Sequence, residues 1–189
     1  MNVRQPLPAS FSNTEFDRIL RSGAFGNARV ELRRGMILKM NAQHIAHGDA
    51  KWLLARAIED GLVAAGLPLI VRTEISVSFG EGFEPLPDIV VCDPTLLPAD
   101  RKRPIPGLAV RLVAEVADTT LSDDLGEKLE DYANAGLAEY WVVDVNGRII
   151  LRHAGPTANT YARREPARFG ETFSSLAYPT LRIDTAALA

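Results

Sequence analysis

Cysteine is nearly absent: Cys92 is the only one in 189 residues. A single thiol excludes an intramolecular disulfide framework and suits a reducing cytoplasm. No apolar stretch approaches the roughly 20 residues of a membrane span, and Met1 to Ser12 lacks the basic-then-apolar layout of a signal peptide. Positive charge is not in excess either. With 21 Lys and Arg against 24 Asp and Glu the net charge is −3, which argues against broad, electrostatically driven nucleic-acid binding but leaves room for a local basic groove. Also missing are a phosphate-cradling glycine loop, a serine elbow, internal repeats and low-complexity tracts. His44 and His47, three apart, make a poor zinc pair, because no cysteine or third histidine stands at suitable spacing.

What remains is an ordinary globular composition, 47% hydrophobic and 24% charged, with enough chain for one domain and a sizeable core. Residues 1–27 read as a polar leader with one short helix, Thr14 to Ser22, and residues 28–189 as a single domain. Val30-Glu31-Leu32, Arg33-Arg34-Gly35 and Met36 to Met40 read as strand, turn, strand. From Asn41 the period changes: Ala50, Leu54, Ile58 and Leu62 recur every four residues and Gly66 supplies a stop, which predicts a helix of four to six turns. Leu69 to Phe79 alternates and is β-branched, and Pro87 to Cys92 reads as a short buried strand. Asp93 to Gly107, rich in proline and carrying Arg101-Lys102-Arg103, is expected to be an exposed loop suited to steering a nucleic-acid backbone. Leu108 to Ala117 has the continuous apolar character of a central strand. Asp123 to Ala135 is the second long helix, with Ser122, Asp123 or Asp124 as N-cap and Gly136 just past its end. Tyr140 to Val145 and Arg148 to His153 flank Asn146-Gly147, a strong hairpin signal. Trp52, Trp141 and Cys92 are assigned to the core. The order helix, three strands, helix, strand, with a hairpin extension, predicts a mixed α/β sheet with helices on both faces.

Two acids break this apolar pattern. Asp88 opens one strand and Glu115 sits inside another, where burying a carboxylate costs several kcal/mol unless something pairs with it. If the two strands are antiparallel neighbours, the start of the first lies beside the end of the second, and the carboxylates converge. Lys128, early on the following helix, can reach back to the same sheet end, with Asp124 one turn earlier to hold it. Mg²⁺ takes oxygen ligands, commonly one or two carboxylates plus phosphate and water. A lysine can orient the attacking water or offset charge developing at phosphorus. The structural alternatives stay open on the residues alone. Asp88 after a proline can cap a loop, Glu115 can pair with Arg111 or Lys128 in a buried ion pair, and Lys128 can be a solvated helix lysine.

Pro87-Asp88-Ile89-Val90-Val91, Val113-Ala114-Glu115-Val116, Asp124-x-x-x-Lys128-x-x-x-Tyr132 and Ala135 to Asp144 together resemble the bacterial Uma-two family. Glu31-Leu32-x-x-Gly35-x-Ile37 and Met40 followed by His47 extend the likeness upstream, so that it runs from about Val30 to Leu181. The resemblance implies the PD-(D/E)XK phosphodiesterase fold, restriction-endonuclease-like, with an αβββαβ core. In that superfamily a lysine normally stands two residues after the second acid, a place held here by Ala117. The family pattern moves it to the following helix, at Lys128. By resemblance Asp88 and Glu115 are metal ligands, Lys128 is the catalytic lysine, and Glu31 and Asp124 are candidate auxiliaries; His47 is a further auxiliary candidate, expected to satisfy a local hydrogen bond or line the site rim. The activity implied is hydrolysis of nucleic-acid phosphodiester bonds, foremost in DNA, with Mg²⁺ or Mn²⁺. The alternative is a catalytically silent scaffold that binds nucleic acid or protein. Cutting both strands is most simply done by a homodimer, for which the Asn146-Gly147 hairpin and Phe173 to Ile183 are candidate isologous surfaces.

Overall fold

The computed structural model describes residues 9–189, so most of the Met1 to Ser12 reading lies outside the described residues. The elements in chain order are α1 (Asn13–Arg21), β1 (Val30–Arg33), β2 (Met36–Lys39), α2 (Ile45–Ala65), β3 (Ile70–Thr73), β4 (Val77–Ser78), β5 (Ile89–Cys92), β6 (Ile105–Pro106) and β7 (Val110–Ala117). After these come α3 (Leu121–Asp124), α4 (Glu127–Asn134), β8 (Glu139–Asp144), β9 (Ile149–Thr157), β10 (Thr160–Arg168), β11 (Thr172–Ser174) and β12 (Arg182–Asp184). The main sheet has six strands in the order β10-β9-β8-β7-β5-β3. Within this sheet only β7 and β8 are parallel, because the chain between them crosses over through α3 and α4. This is the expected mixed sheet with α2 and α4 on opposite faces.

Alternation along the strands sends one set of side chains to each helix. Ile89, Val91, Leu112, Ala114, Val116 and Trp141 form a core with Leu54, Ile58 and Leu62 of α2. Val90, Val113, Tyr140 and Val142 form another with Tyr132 and Ala133 of α4. The predicted stop at Gly66 is realised: its φ is 63°, and the amides of Gly66 and Leu67 donate to the Val63 and Leu62 carbonyls at 3.1 and 3.0 Å. Helix α1 starts on a capping box between Ser12 and Glu15 and buries Phe16 against Val30 and Leu32 of the β1–β2 hairpin.

Several local expectations need correction. Leu69 to Phe79 is not one strand: Glu74 takes a positive φ of 55°, so β3 joins the main sheet while β4 turns away to pair with β6. The helix expected over Asp123 to Ala135 breaks at Leu125-Gly126. There the Gly126 α-carbon passes so near the Ser122 carbonyl that a Cβ would sit 2.8 Å from it. Helix α3 instead begins after Thr120 and α4 after Gly126. The β8–β9 hairpin closes with Asp144 opposite Ile149, a four-residue turn rather than a two-residue one, with the positive φ on Arg148. Trp52 is 57% exposed, since it lies on the outer side of α2, whereas Trp141 and Cys92 are core residues as read. Phe173, Leu181 and Ile183 are buried in the α2-side core, so they are not available as an isologous surface. The approach of β12 to α2 depends on Gly61, where a Cβ would meet the Arg182 carbonyl at 2.3 Å.

Candidate metal and catalytic site

Strands β5 and β7 are antiparallel neighbours, with Ile89 opposite Ala114. One residue further along, Asp88 and Glu115 therefore face each other at one end of the sheet. The Asp88 amide donates to Glu115 Oε2 at 3.4 Å, and the Val116 amide donates to Asp88 Oδ2 at 2.9 Å. From α4, Lys128 brings its ammonium to 3.3 Å from Glu115 Oε1 and 3.3 Å from Asp124 Oδ1. Tyr132, one turn after Lys128, donates its hydroxyl to Glu115 Oε1 at 2.8 Å. Thr120 donates to Asp124 Oδ2 at 2.5 Å. Glu31 enters from β1 and accepts from the Leu86 amide at 3.3 Å. All of these acids, and Lys128, are buried.

They line a cavity of about 220 Å³ that also includes Arg33, Lys39, Gln43, His47 and Asp123. The predicted residues Glu31, His47, Asp88, Glu115, Asp124 and Lys128 are thus brought together. Arg101, Lys102 and Arg103 are not. Their loop leaves β5 and enters β7 at the end of the strand pair opposite Asp88 and Glu115, and none of the three lines the cavity. His44 and His47 turn to different acids, with His44 Nδ1 3.0 Å from Asp118 Oδ2 and His47 Nε2 3.0 Å from Asp88 Oδ1.

Three side chains that the sequence reading passed over complete the site, two of them at Asp88. Gln43 Nε2 donates to Asp88 Oδ1 at 3.0 Å. The Lys51 ammonium stands 3.7 Å from the same oxygen and donates to Gln43 Oε1 at 2.5 Å. Its other partner is Glu74. Gln43, His47 and Lys51 are spaced by four, a polar stripe at the start of a helix whose inner side is otherwise apolar. That spacing was the available signal. Arg33 is the third: buried in the hairpin, it donates to Asp123 at 2.7 Å and lies 3.8 Å from Glu31.

The charges are unequal. Six carboxylates line the cavity (Glu31, Asp88, Glu115, Asp118, Asp123 and Asp124) against three fixed cations, Arg33, Lys39 and Lys128. Burial works against the charge on Lys128, but Glu115, Asp124 and Glu31 outweigh it and raise its pKa. Its ammonium therefore persists. Glu115 is pushed up to about 8, first by burial and further by Asp88, Asp124 and Glu31, with Lys128 opposing. Burial also acts to raise Asp88, but His47, the Val116 amide and Lys51 prevail and hold it below its ordinary value. The two facing acids are thus driven apart, as expected where two carboxylates share too little positive charge.

A divalent cation fits this setting. Asp124 Oδ1 is buried with the Lys128 ammonium 3.3 Å away and no hydrogen-bond donor, and burial together with Asp88, Asp124 and Glu31 raises the proton affinity of Glu115 despite Lys128, so added positive charge is favourable here. Among the described residues, no three His, Cys, Asp or Glu side chains form a preformed metal cage. An ion held here would therefore take few protein ligands and keep water or phosphate in its remaining positions, which is the habit of Mg²⁺.

A profile of the Uma2 family, described as "putative restriction endonuclease", matches residues 14–186. The chain belongs to the Uma2 family. This is the Uma-two resemblance of the sequence motifs, and membership supports a nuclease-like function. Restriction-endonuclease-like families generally use divalent metal ions. Among solved structures, the chain is similar to one from Anabaena variabilis described as a "putative nuclease belonging to DUF820". The TM-score is 0.70 at 14% identity, over 96% of this chain and 97% of that one. At that identity the likeness shows the fold alone. No curated protein matches the chain. Among the described residues of this Uma2 protein, no helix is long and apolar enough to cross a membrane.

The pKa of Glu115 carries a pH prediction. Its folded value of about 8 exceeds its ordinary 4.5, so the folded state holds the proton more tightly. The stability this provides is complete below pH 4.5 and is lost as pH rises through 8. His153, lowered by burial to about 4 from 6.5, contributes in the opposite sense only below its ordinary value. Between pH 6.5 and 8 the Glu115 effect therefore stands clear. Metal-free protein is expected to lose about 2 kcal/mol over that window, read by urea melts. Glu115→Gln should flatten the slope. Added Mn²⁺ should stabilise the wild type more at pH 8 than at pH 6.5, because binding favours the ionised carboxylate. A wild-type slope unchanged by Glu115→Gln would remove Glu115 from this role.

Proposed function

We propose that this Uma2 protein is a divalent-metal-dependent phosphodiesterase acting on nucleic acid, with DNA the first candidate substrate and Mg²⁺ or Mn²⁺ the ion. The observation that carries it is the buried surplus of carboxylates around one ammonium at an open sheet end. A fold-stabilising ion pair requires one acid per base, not Glu115, Asp124 and Glu31 around Lys128. Asp88 and Glu115 would hold the ion. When bound, such an ion polarises a phosphate oxygen and lowers the pKa of its water. Lys128, held by Asp124, positions the attacking water or offsets negative charge building on the phosphoryl oxygens. Tyr132 fixes the Glu115 carboxylate from behind, and His47 with Gln43 fixes Asp88. Glu31 adds buried negative charge beside Glu115 and Lys128.

One observation favours a second reading, a catalytically silent binding domain. Both oxygens of Asp88 already accept hydrogen bonds, and Lys128 is already paired twice. A structure so satisfied can persist after chemistry is lost. The experiment that separates the readings is cleavage of a panel of DNA and RNA forms with Mg²⁺, Mn²⁺ or chelator.

A further inference from the structure

Helix α2 is apolar on two opposite sides. Its inner side, Leu54, Ile58 and Leu62, fills the core. Its outer side leaves Ile45 84%, Trp52 57% and Val63 78% exposed. Between them lie exposed Asp49, Arg56 and Glu59, and the Arg56 guanidinium stacks on the Trp52 ring at 5.1 Å. Leaving these large apolar groups in water forgoes the gain that burial would bring.

The six positions are separated alternately by four and three residues, the spacing of a helix–helix seam. They are also symmetric about Leu54. When the helix is reversed on itself, Ile45 meets Val63, Asp49 meets Glu59, and Trp52 meets Arg56. A two-fold interface requires such self-complementarity, since each residue must find its partner in the other copy at the mirrored place. We propose that the outer face of α2 packs antiparallel against the same face of a second copy of this chain. Arg56 then lies over Trp52 of the second copy and within reach of its Asp49, so that both the cation–π contact and the charge pair occur twice. The facing acids Asp49 and Glu59 are each flanked by Arg56, which offsets their repulsion. One helix pair covers less than a standard interface, so the dimer is weak and concentration-dependent. Other surfaces serve a second copy less well: β10, at the sheet edge, carries Arg163, Arg164, Glu165 and Pro166, which guard it against pairing.

This inference stands apart from the phosphodiesterase reading, since association and cleavage are read by different measurements. The test is sedimentation velocity on the full chain across a wide concentration range. The wild type is expected to rise from the mass of one chain towards that of two. Trp52→Glu, at an exposed position, should keep the circular dichroism of the wild type and stay monomeric. Arg56→Asp should weaken association at least tenfold, and the added change Asp49→Arg should restore most of it. A wild type that stays monomeric at the highest concentration overturns the proposal. So does a dimer that survives Trp52→Glu, which would place the contact elsewhere. Quenching of Trp52 fluorescence by an oligonucleotide in a monomeric protein would assign the face to nucleic acid instead.

Discussion

Lys128→Ala is expected to lower turnover on a cleavable nucleic acid on the order of a hundredfold, a loss of about 3 kcal/mol of transition-state stabilisation. Substrate affinity should change little, because an interaction made only in the transition state affects the rate and not ground-state binding. Mn²⁺ affinity should not fall, since the ammonium 3.3 Å from Glu115 and from Asp124 competes with a cation for the same carboxylates. Lys128→Met fills the volume and guards against a folding defect. If Lys128 instead gripped phosphate in a binding module, both variants would lose affinity and show a flatter salt dependence. Unchanged turnover in both would remove Lys128 from the chemistry.

Glu139→Ala is expected to destabilise the fold by about 4 kcal/mol, with a melting temperature lower by roughly 8–16 °C. Glu139 is a second fully buried strand acid, but its surroundings differ from those of Glu115. Its carboxylate accepts from Trp141 Nε1 at 2.6 Å and from the Leu176 and Ala177 amides at 2.9 and 3.0 Å, and from the Ser175 hydroxyl. Removing it strands four donors in the interior and unties the β11–β12 segment from the sheet. Glu115→Gln at pH 8 in metal-free buffer should have the opposite sign and stabilise, because it removes a charge held against burial and its acidic neighbours. Thermal melts of the two variants side by side check the distinction. Equal destabilisation by both would mean that Glu115, like Glu139, is a structural acid.

The sequence made the skeleton and the central triad legible for a physical reason. Strand and helix periods are local, and an acid in a strand is a local anomaly, so Asp88 and Glu115 stood out before any contact was known. Their convergence needed one further inference, antiparallel pairing, which the β5–β7 register bears out. What depends on the third dimension was not legible. Gln43 and Lys51 gain meaning only because the start of α2 passes over Asp88. Glu139 falls just before the strand read over Tyr140 to Val145, and its role was hidden because its donors come mostly from residues 36 to 38 positions away. Trp52, expected in the core, lies outside because of its place on α2. The break at Gly126 was masked by good helix formers on either side, and it is this break that starts α4 afresh beside the sheet end, with Lys128 in its first turn.

Strand cleavage by the wild-type protein is the decisive measurement. The assay offers plasmid, linear duplex, single-stranded DNA and RNA, each with Mn²⁺, Mg²⁺ or chelator, beside Asp88→Asn and Glu115→Gln. A metal-dependent phosphodiesterase cleaves at least one form in a reaction that requires the ion, stops with chelator and is lost in both variants. A folded wild type that cuts none of them, or cutting that survives both substitutions, would contradict that assignment.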